Sequence, residues 1–233
     1  MITAYLYNKN TLEAVEQPAV SLEDYRARIR EYYPSYNESM HIISETKFEN
    51  PILEKNRIRE MTKDELYKVG KYTLTANEIV ENGKVKAVEL SEFEYIEDNT
   101  VKLRRDGKIG SIKKELSELK VEYSEKEFLF QGKYWQKNRE VGDRNNLTSI
   151  VLMLTGSGQS HYDGWKVVDK DTGKDVYLKL SLQELNIMAL HMQEQVTKAM
   201  RTESKLKEKL NTLSDEELKS FNPREEYERA WNS

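Results

Sequence analysis

The chain reads as an α+β protein: small N-terminal α/β-hairpin modules, then a helix–hairpin–helix–hairpin–long-helix C-terminal domain. Three observations predict this class. Between Phe128 and Leu180, the aromatic segments FLFQGKYWQKN and WKVVDKDTGKDVYLKL turn at Gly132 and Gly173 and enclose the apolar run NNLTSIVLMLTGSG. Apolar residues recur at helical spacing along Ile109–Tyr123 and again along Leu185–Leu210. Nearer the N-terminus, Asn82-Gly83 sits between two strand-like runs, a strong short-range hairpin signal. The change of pattern places an α+β module at residues 1–105, with a subdivision near 60, and a helical domain with two β-hairpins at 106–233.

Thr3 to Val15 predicts an opening hairpin that turns at Asn8-Lys9-Asn10. Ser21 starts a short helix, with Asp24 three residues on and Leu22, Tyr25, Ile29 and Tyr32/Tyr33 along one face; Pro34 stops it. Met40–Ser44 is a strand that packs back on that helix. Lys47–Arg59 reads as an irregular connector anchored at Phe48, Ile52 and Leu53. Thr62 and Glu65 form a capping box for a helix of about two turns, with Leu66 and Val69 inward and Gly70 at its end. Tyr72–Val80 and Lys84–Leu90 flank the Asn82-Gly83 turn, and Phe93, Tyr95, Val101 and Leu103 continue a small meander.

From Ile109 the steps of three and four through Ile112, Leu116, Leu119 and Tyr123 make a narrow seam suited to pairing with another helix. Ser181 and Glu184 form a second capping box. Leu185, Met188, Met192, Val196, Ala199, Leu206 and Leu210 follow as one stripe, interrupted by polar Glu203, on a helix of roughly 30 residues, about 45 Å long. Ser214 and Glu217 make a third capping box, Leu213 can staple to Leu218, and Pro223 opens a last short helix whose Trp231 is placed for docking.

Composition restricts the chemistry. Charged residues are 33% of the 233, apolar ones 37%, and 37 basic against 41 acidic side chains give a net charge of −4. That balance is too even for a binder that relies on phosphate neutralisation, so direct nucleic-acid binding is not expected. Zero cysteine excludes disulfides, thiolate metal sites and Cys nucleophiles. The N-terminal MITAYLYNKNTLEAVEQ has no basic stretch leading into an apolar core, so no Sec signal is expected. The longest apolar run, Ile150–Leu154, falls far short of a membrane span.

No catalytic, cofactor or metal signature stands out. His41, His161 and His191 lie on separate elements without zinc-ligand spacing. Asp169-Lys170-Asp171-Thr172-Gly173-Lys174-Asp175 imitates a calcium loop, yet Leu180 stands where the closing Glu belongs, and the residue types suit a hairpin turn. Thr155-Gly156-Ser157-Gly158 follows an apolar helix instead of a strand and lacks the P-loop Lys, so helix termination explains it. The acidic groups Glu115/Glu118/Glu122 and Asp215/Glu216/Glu217 suit solvated helix faces and first turns. The expectation is a protein without enzymatic activity, cofactor or metal.

The segment Phe128–Trp231 resembles a C-terminal domain of unknown function found in phage and prophage tail-fibre and tail-assembly proteins. The resemblance is carried by Phe130, Gly132, Tyr134, Trp135 and Gln136, by Arg144, Asn145, Leu147 and Ile150, by Trp165, Val176, Leu178 and Leu180, and by Ser181–Leu185. TKDELYKVGKYTLTANEIVENGKVKAVE, from Thr62, is similar to a short element that also recurs in phage tail proteins. The resemblance implies a tail component or tail-fibre assembly factor in the host cytoplasm during assembly, and in the virion tail if retained, with a tail or fibre protein or a second copy as partner. The first 60 residues resemble no known element.

The two seams can pair with each other, with copies of themselves or with a fibre protein. The Met-rich upper half of the long helix is the candidate partner surface: Met188, Met192, Val196 and Met200, because flexible Met side chains suit adaptable contacts. Trp165 and His161, in the loop before it, complete the candidate set. An alternative in another class is an anti-CRISPR-like inhibitor whose acidic surface occupies the basic channel of a host defence nuclease guided by RNA. An enzyme acting on cell-surface polymers is a third reading.

Overall fold

The computed structural model describes residues 4–16 and 20–233. It is a mixed α and β structure that divides into two compact units, the first ending at Lys102 and the second running from Leu103 to Ser233. No helix among the described residues is long and apolar enough to cross a membrane.

The first unit opens with β1 (Tyr5–Asn8), β2 (Ala14–Glu16) and β3 (His41–Ser44) in a sheet of order β2-β1-β3. Thr3, the first residue of the expected opening hairpin, lies outside the described residues. Helices α1 (Leu22–Ala27) and α2 (Ile29–Tyr32) bury Leu22 and Tyr25 against Ala4 and Leu6 of the sheet side, with Ile29, Tyr32, Tyr33 and Ile43 closing around them. Ser21 caps α1, its Oγ accepting from the backbone N–H of Asp24 at 3.2 Å.

The segment expected as an irregular connector is instead a hairpin, β4 (Pro51–Glu54) with β5 (Arg57–Glu60), turning through Lys55 and Asn56 at φ 48° and 60°. Helix α3 (Lys63–Lys68) carries its full capping box, and Gly70 beyond it sits at φ 72°, where a side chain would be strained. Val69 is exposed, not inward as expected, and Leu66 is only half-buried. Two further hairpins follow: β6 (Glu78–Glu81) with β7 (Lys84–Ala87), and β8 (Glu94–Glu97) with β9 (Thr100–Leu103). The expected meander is absent, because each pair forms its own two-stranded sheet.

The second unit begins with α4 (Arg105–Ser124), which starts one turn earlier than its apolar row. Strands β10 (Phe128–Phe130), β11 (Tyr134–Gln136), β12 (His161–Asp169) and β13 (Asp175–Ser181) form one antiparallel sheet in that order, so the two aromatic hairpins are halves of one layer. Asp169 builds the second turn: its Oδ1 accepts from the N–H groups of Asp171 and Thr172, at 3.1 and 2.9 Å. Between the hairpins, α5 (Asn145–Ser157) ends at Gly158, which is left-handed at φ 71°. The long α6 (Leu182–Leu210), α7 (Asp215–Ser220) and α8 (Pro223–Asn232) complete the unit.

Its core has two parts. In one, the inner sheet face (Phe130, Trp165, Val167, Leu180) packs against Leu147 and Leu154 of α5 and Leu185, Met188 and Met192 of α6. In the other, the two apolar seams meet each other: Ile112, Leu116, Leu119 and Tyr123 of α4 lie along the lower half of α6, where Ala199, Leu206 and Leu210 are buried. Glu203, which breaks the apolar stripe, accepts hydrogen bonds from Ser117 Oγ at 2.8 Å and Lys207 Nζ at 2.7 Å, so the gap is a polar tie across the seam. Helix α8 caps this end. The Tyr123 ring lies 4.8 Å from that of Tyr227 and 5.2 Å from Trp231, and Tyr227 OH donates to the carbonyl of Ala199 at 2.8 Å.

Candidate interaction surfaces

Helix α6 supplies both an inner and an outer face, and its start fixes which is which. The Ser181 and Glu184 box anchors the first turn, with Glu184 accepting from the Ser181 N–H at 2.8 Å. That backbone bond, with the Ser181 hydroxyl, holds the Glu184 carboxyl below its usual range. From this start, Leu185, Met188 and Met192 turn into the core at 0–1% exposure. Met188 and Met192 are therefore corrected: they are packing residues of the unit, not part of an open surface. Trp165 is corrected likewise, being buried with its Nε1 donating to Gln136 Oε1 at 2.7 Å. Val196 is half-buried, and Met200 and His161 are exposed. His161 is the first residue of β12, opposite Ser181, and not in a loop. The six candidate residues thus divide between core and surface.

Besides Met200, the outward apolar residues of this region are Ile187 and Leu190 on α6, and Leu152 and Met153 on α5. Leu190, 65% exposed, forms part of two grooves. One, of about 450 Å³, runs between α5 and α6 past Arg144, Leu147, Thr148 and Ala189. The other, of about 590 Å³, follows α6 past Thr197, Lys198, Arg201 and Lys205 to Ala230 of α8. Lys198 Nζ stands 4.8 Å from the centre of the Trp231 ring, a cation–π contact that keeps it on this flank. The helix thereby offers an apolar ridge that passes, beyond the exposed carboxylate of Glu194, into a row of three cations, a surface of mixed charge whose far end suits carboxylates.

A buried polar node stands behind the first groove. Asn138 is fully buried, and its Nδ2 donates to Ser124 O at 2.8 Å and Gln195 Oε1 at 2.7 Å. Arg144 donates to the carbonyl of Asn138 at 3.1 Å. These bonds join the end of α4, the β11–α5 connection and α6, so the groove walls are held by directional contacts as well as packing. Burial works to raise the Glu203 carboxyl, and its Lys207 and Ser117 hydrogen bonds outweigh this and hold it low. Burial pushes the Tyr227 hydroxyl well above the usual tyrosine range. Both groups serve packing between helices.

The first unit carries a repeat that sequence reasoning missed. ILEKNRIR (52–59), IVENGKVK (79–86) and YIEDNTVK (95–102) share one pattern: two apolar residues, Glu, a two-residue turn, one residue, Ile or Val, then a cation. Both turn residues have positive φ in every case: Lys55 and Asn56, Asn82 and Gly83 (53° and 74°), Asp98 and Asn99 (50° and 62°). That is the type I′ turn, whose twist matches the flanking strands. In each hairpin the Glu pairs across the strands with the cation five residues on: Glu54 with Arg59, Glu81 with Lys86, Glu97 with Lys102.

No protein family, curated protein or solved structure matches the chain.

Proposed function

We propose that the chain is a non-enzymatic phage tail component or tail-fibre assembly factor that works through protein–protein contacts. The observation that carries this reading is the outer face of α6, where Ile187 and Leu190 stand exposed beside the Lys198, Arg201 and Lys205 row. Exposed apolar side chains rimmed by charge mark surfaces that another protein covers. Of the residues behind the tail-protein resemblance, Phe130, Gln136, Leu147, Trp165 and Leu180 are buried, whereas Trp135 and Asn145 are exposed. The partner is a tail or fibre protein that presents an apolar side chain followed by acidic residues.

The test is co-purification of tail and fibre proteins with the full chain and with an Ile187→Glu/Leu190→Glu variant. Both positions are exposed, so the variant keeps the wild-type circular dichroism and melting profile. Capture of the tail or fibre partner falls at least about tenfold, the ratio that corresponds to about 1.4 kcal/mol of binding energy. Equal capture by a folded variant overturns the role of this face. Recovery of a host nuclease instead of tail proteins overturns the reading itself.

A further inference from the structure

We propose that the outer edge of β13 pairs with the same edge of a second copy of this chain, joining their two sheets across a two-fold axis at Tyr177.

The edge itself is open and regular. Strand β13 ends its sheet, with β12 on one side and no strand on the other. Natural edges are blunted by short strands, prolines or bulges. The opposite edge strand, β10, is short, with three residues, but β13 has seven, DVYLKLS, without Pro or Gly. The bulge of the β12–β13 pair falls at Gly164, on β12.

The hydrogen bonds at its two ends show which backbone groups face outward. Along an antiparallel strand, successive residues turn their N–H and C=O alternately towards a neighbour and away from it. Lys174 O accepts from Asp169 N at 2.9 Å, and Leu182 N donates to Ser160 O at 3.1 Å. Residues 174 and 182 thus both face β12, and so do Val176, Leu178 and Leu180 between them. Asp175, Tyr177 and Lys179 point their N–H and C=O to the open side, where no bond meets them among the described residues.

The side chains of the same three residues identify the occupant. They share the outer sheet face, with Tyr177 66% exposed. Lys179 is exposed and has no ion pair among the described residues. Asp175 meets Lys166 at 2.7 Å, yet about half of its side chain, 52%, stays open to a second cation. An antiparallel two-fold that sets Tyr177 opposite its own copy necessarily sets Asp175 opposite Lys179 of the second copy, and the reverse. Every outward N–H and C=O of the three residues then finds a partner. The uncompensated Lys179 gains a carboxylate, and the tyrosines form a cross-strand aromatic pair. A lysine on an edge disfavours strands that bring no acid opposite it, so the edge favours its own sequence over a generic strand. The contact is a strand edge alone, which makes the dimer a concentration-dependent one. It is independent of the tail reading, which rests on the outer face of α6.

The experiment combines sedimentation velocity with amide hydrogen exchange by NMR on the full chain, both over a wide concentration range. The wild type passes from its 27.4 kDa monomer to a dimer as concentration rises. Over the same range the amides of Asp175, Tyr177 and Lys179 gain protection, while those of Val176, Leu178 and Leu180 are protected throughout. Lys179→Asp and Asp175→Lys each set like charges opposite one another and raise the dissociation constant at least about tenfold. An equimolar mixture of the two variants restores opposite charges at both places and recovers the dimer. A wild type that stays monomeric overturns the proposal, as does a dimer in which the three outward amides exchange as in the monomer. That amide readout needs no variant, so it decides the matter even where a substitution disturbs folding. Protection of these amides that appears only when a tail or fibre protein is added assigns the edge to a foreign strand and overturns self-pairing.

Discussion

Met192 and Leu190 are two residues apart on one helix and face opposite environments, which makes them a matched pair for truncation. Met192 is 1% exposed among Leu147, Trp165, Leu185 and Met188, whereas Leu190 is 65% exposed. Removing a fully buried Met side chain forfeits its transfer energy and leaves a void between α5, the sheet and α6; such changes cost about 2–5 kcal/mol. Leu190 keeps roughly a third of its surface covered, and a full Leu burial is worth about 1.5–3 kcal/mol, so Leu190→Ala costs about 0.5–1 kcal/mol. Urea unfolding followed by tryptophan fluorescence measures both. Met192→Ala lowers the midpoint several times more than Leu190→Ala, with the slope unchanged. Equal losses, or a larger loss for Leu190→Ala, would refute the assignment of inner and outer faces to α6.

Three further outcomes are expected. Tyr227→Phe keeps the ring against Tyr123 but removes the hydroxyl that donates to Ala199 O, costing about 1 kcal/mol by thermal melting. Gln136→Leu leaves the buried Trp165 Nε1 without its acceptor; it destabilises the second unit by about 1–3 kcal/mol in urea and changes the tryptophan emission. In the first unit, Arg59 and then the Thr62 N–H hold the Glu65 carboxyl down to about 2. Lys63, then the Thr75 N–H and Tyr72, hold Glu78 down to about 2. Both carboxyls are depressed in the folded state. Their contribution is therefore complete above the ordinary carboxylate range and is lost as pH falls from about 4.5 towards 2. Hydrogen-exchange protection factors across 60–80, corrected for the intrinsic rate at each pH, should fall over that window, and Glu65→Gln/Glu78→Gln should flatten the dependence.

Features written in a few adjacent residues were legible in the sequence. The Thr62, Ser181 and Ser214 capping boxes each form as read, because both partners lie within one turn. Asn82-Gly83 announces its hairpin because glycine is the usual resident of the second turn position. The sister turns Lys55-Asn56 and Asp98-Asn99 adopt the same backbone without glycine, so residue type alone signals neither the first hairpin nor the shared repeat. Aligning the three segments on their turn-preceding Glu would have found it. The division of α6 was not legible either. A stripe of apolar residues shows that one face is covered, not what covers it. Met188 and Met192 face α5 and the sheet, while Leu190, Ile187 and Met200, off the stripe, are left outside. Likewise, Glu203 looks like a defect in the stripe until Ser117 and Lys207 are seen around it.

The central claim, that this chain acts by contact on a tail or fibre protein, is tested most directly by cross-linking mass spectrometry of purified phage particles and of fibre-assembly intermediates. The chain should be found in one of them, with cross-links from Lys198 or Lys205, beside Leu190, to acidic stretches of a tail or fibre protein. Absence of the chain from both fractions, together with turnover of a substrate by the purified protein, would contradict the claim.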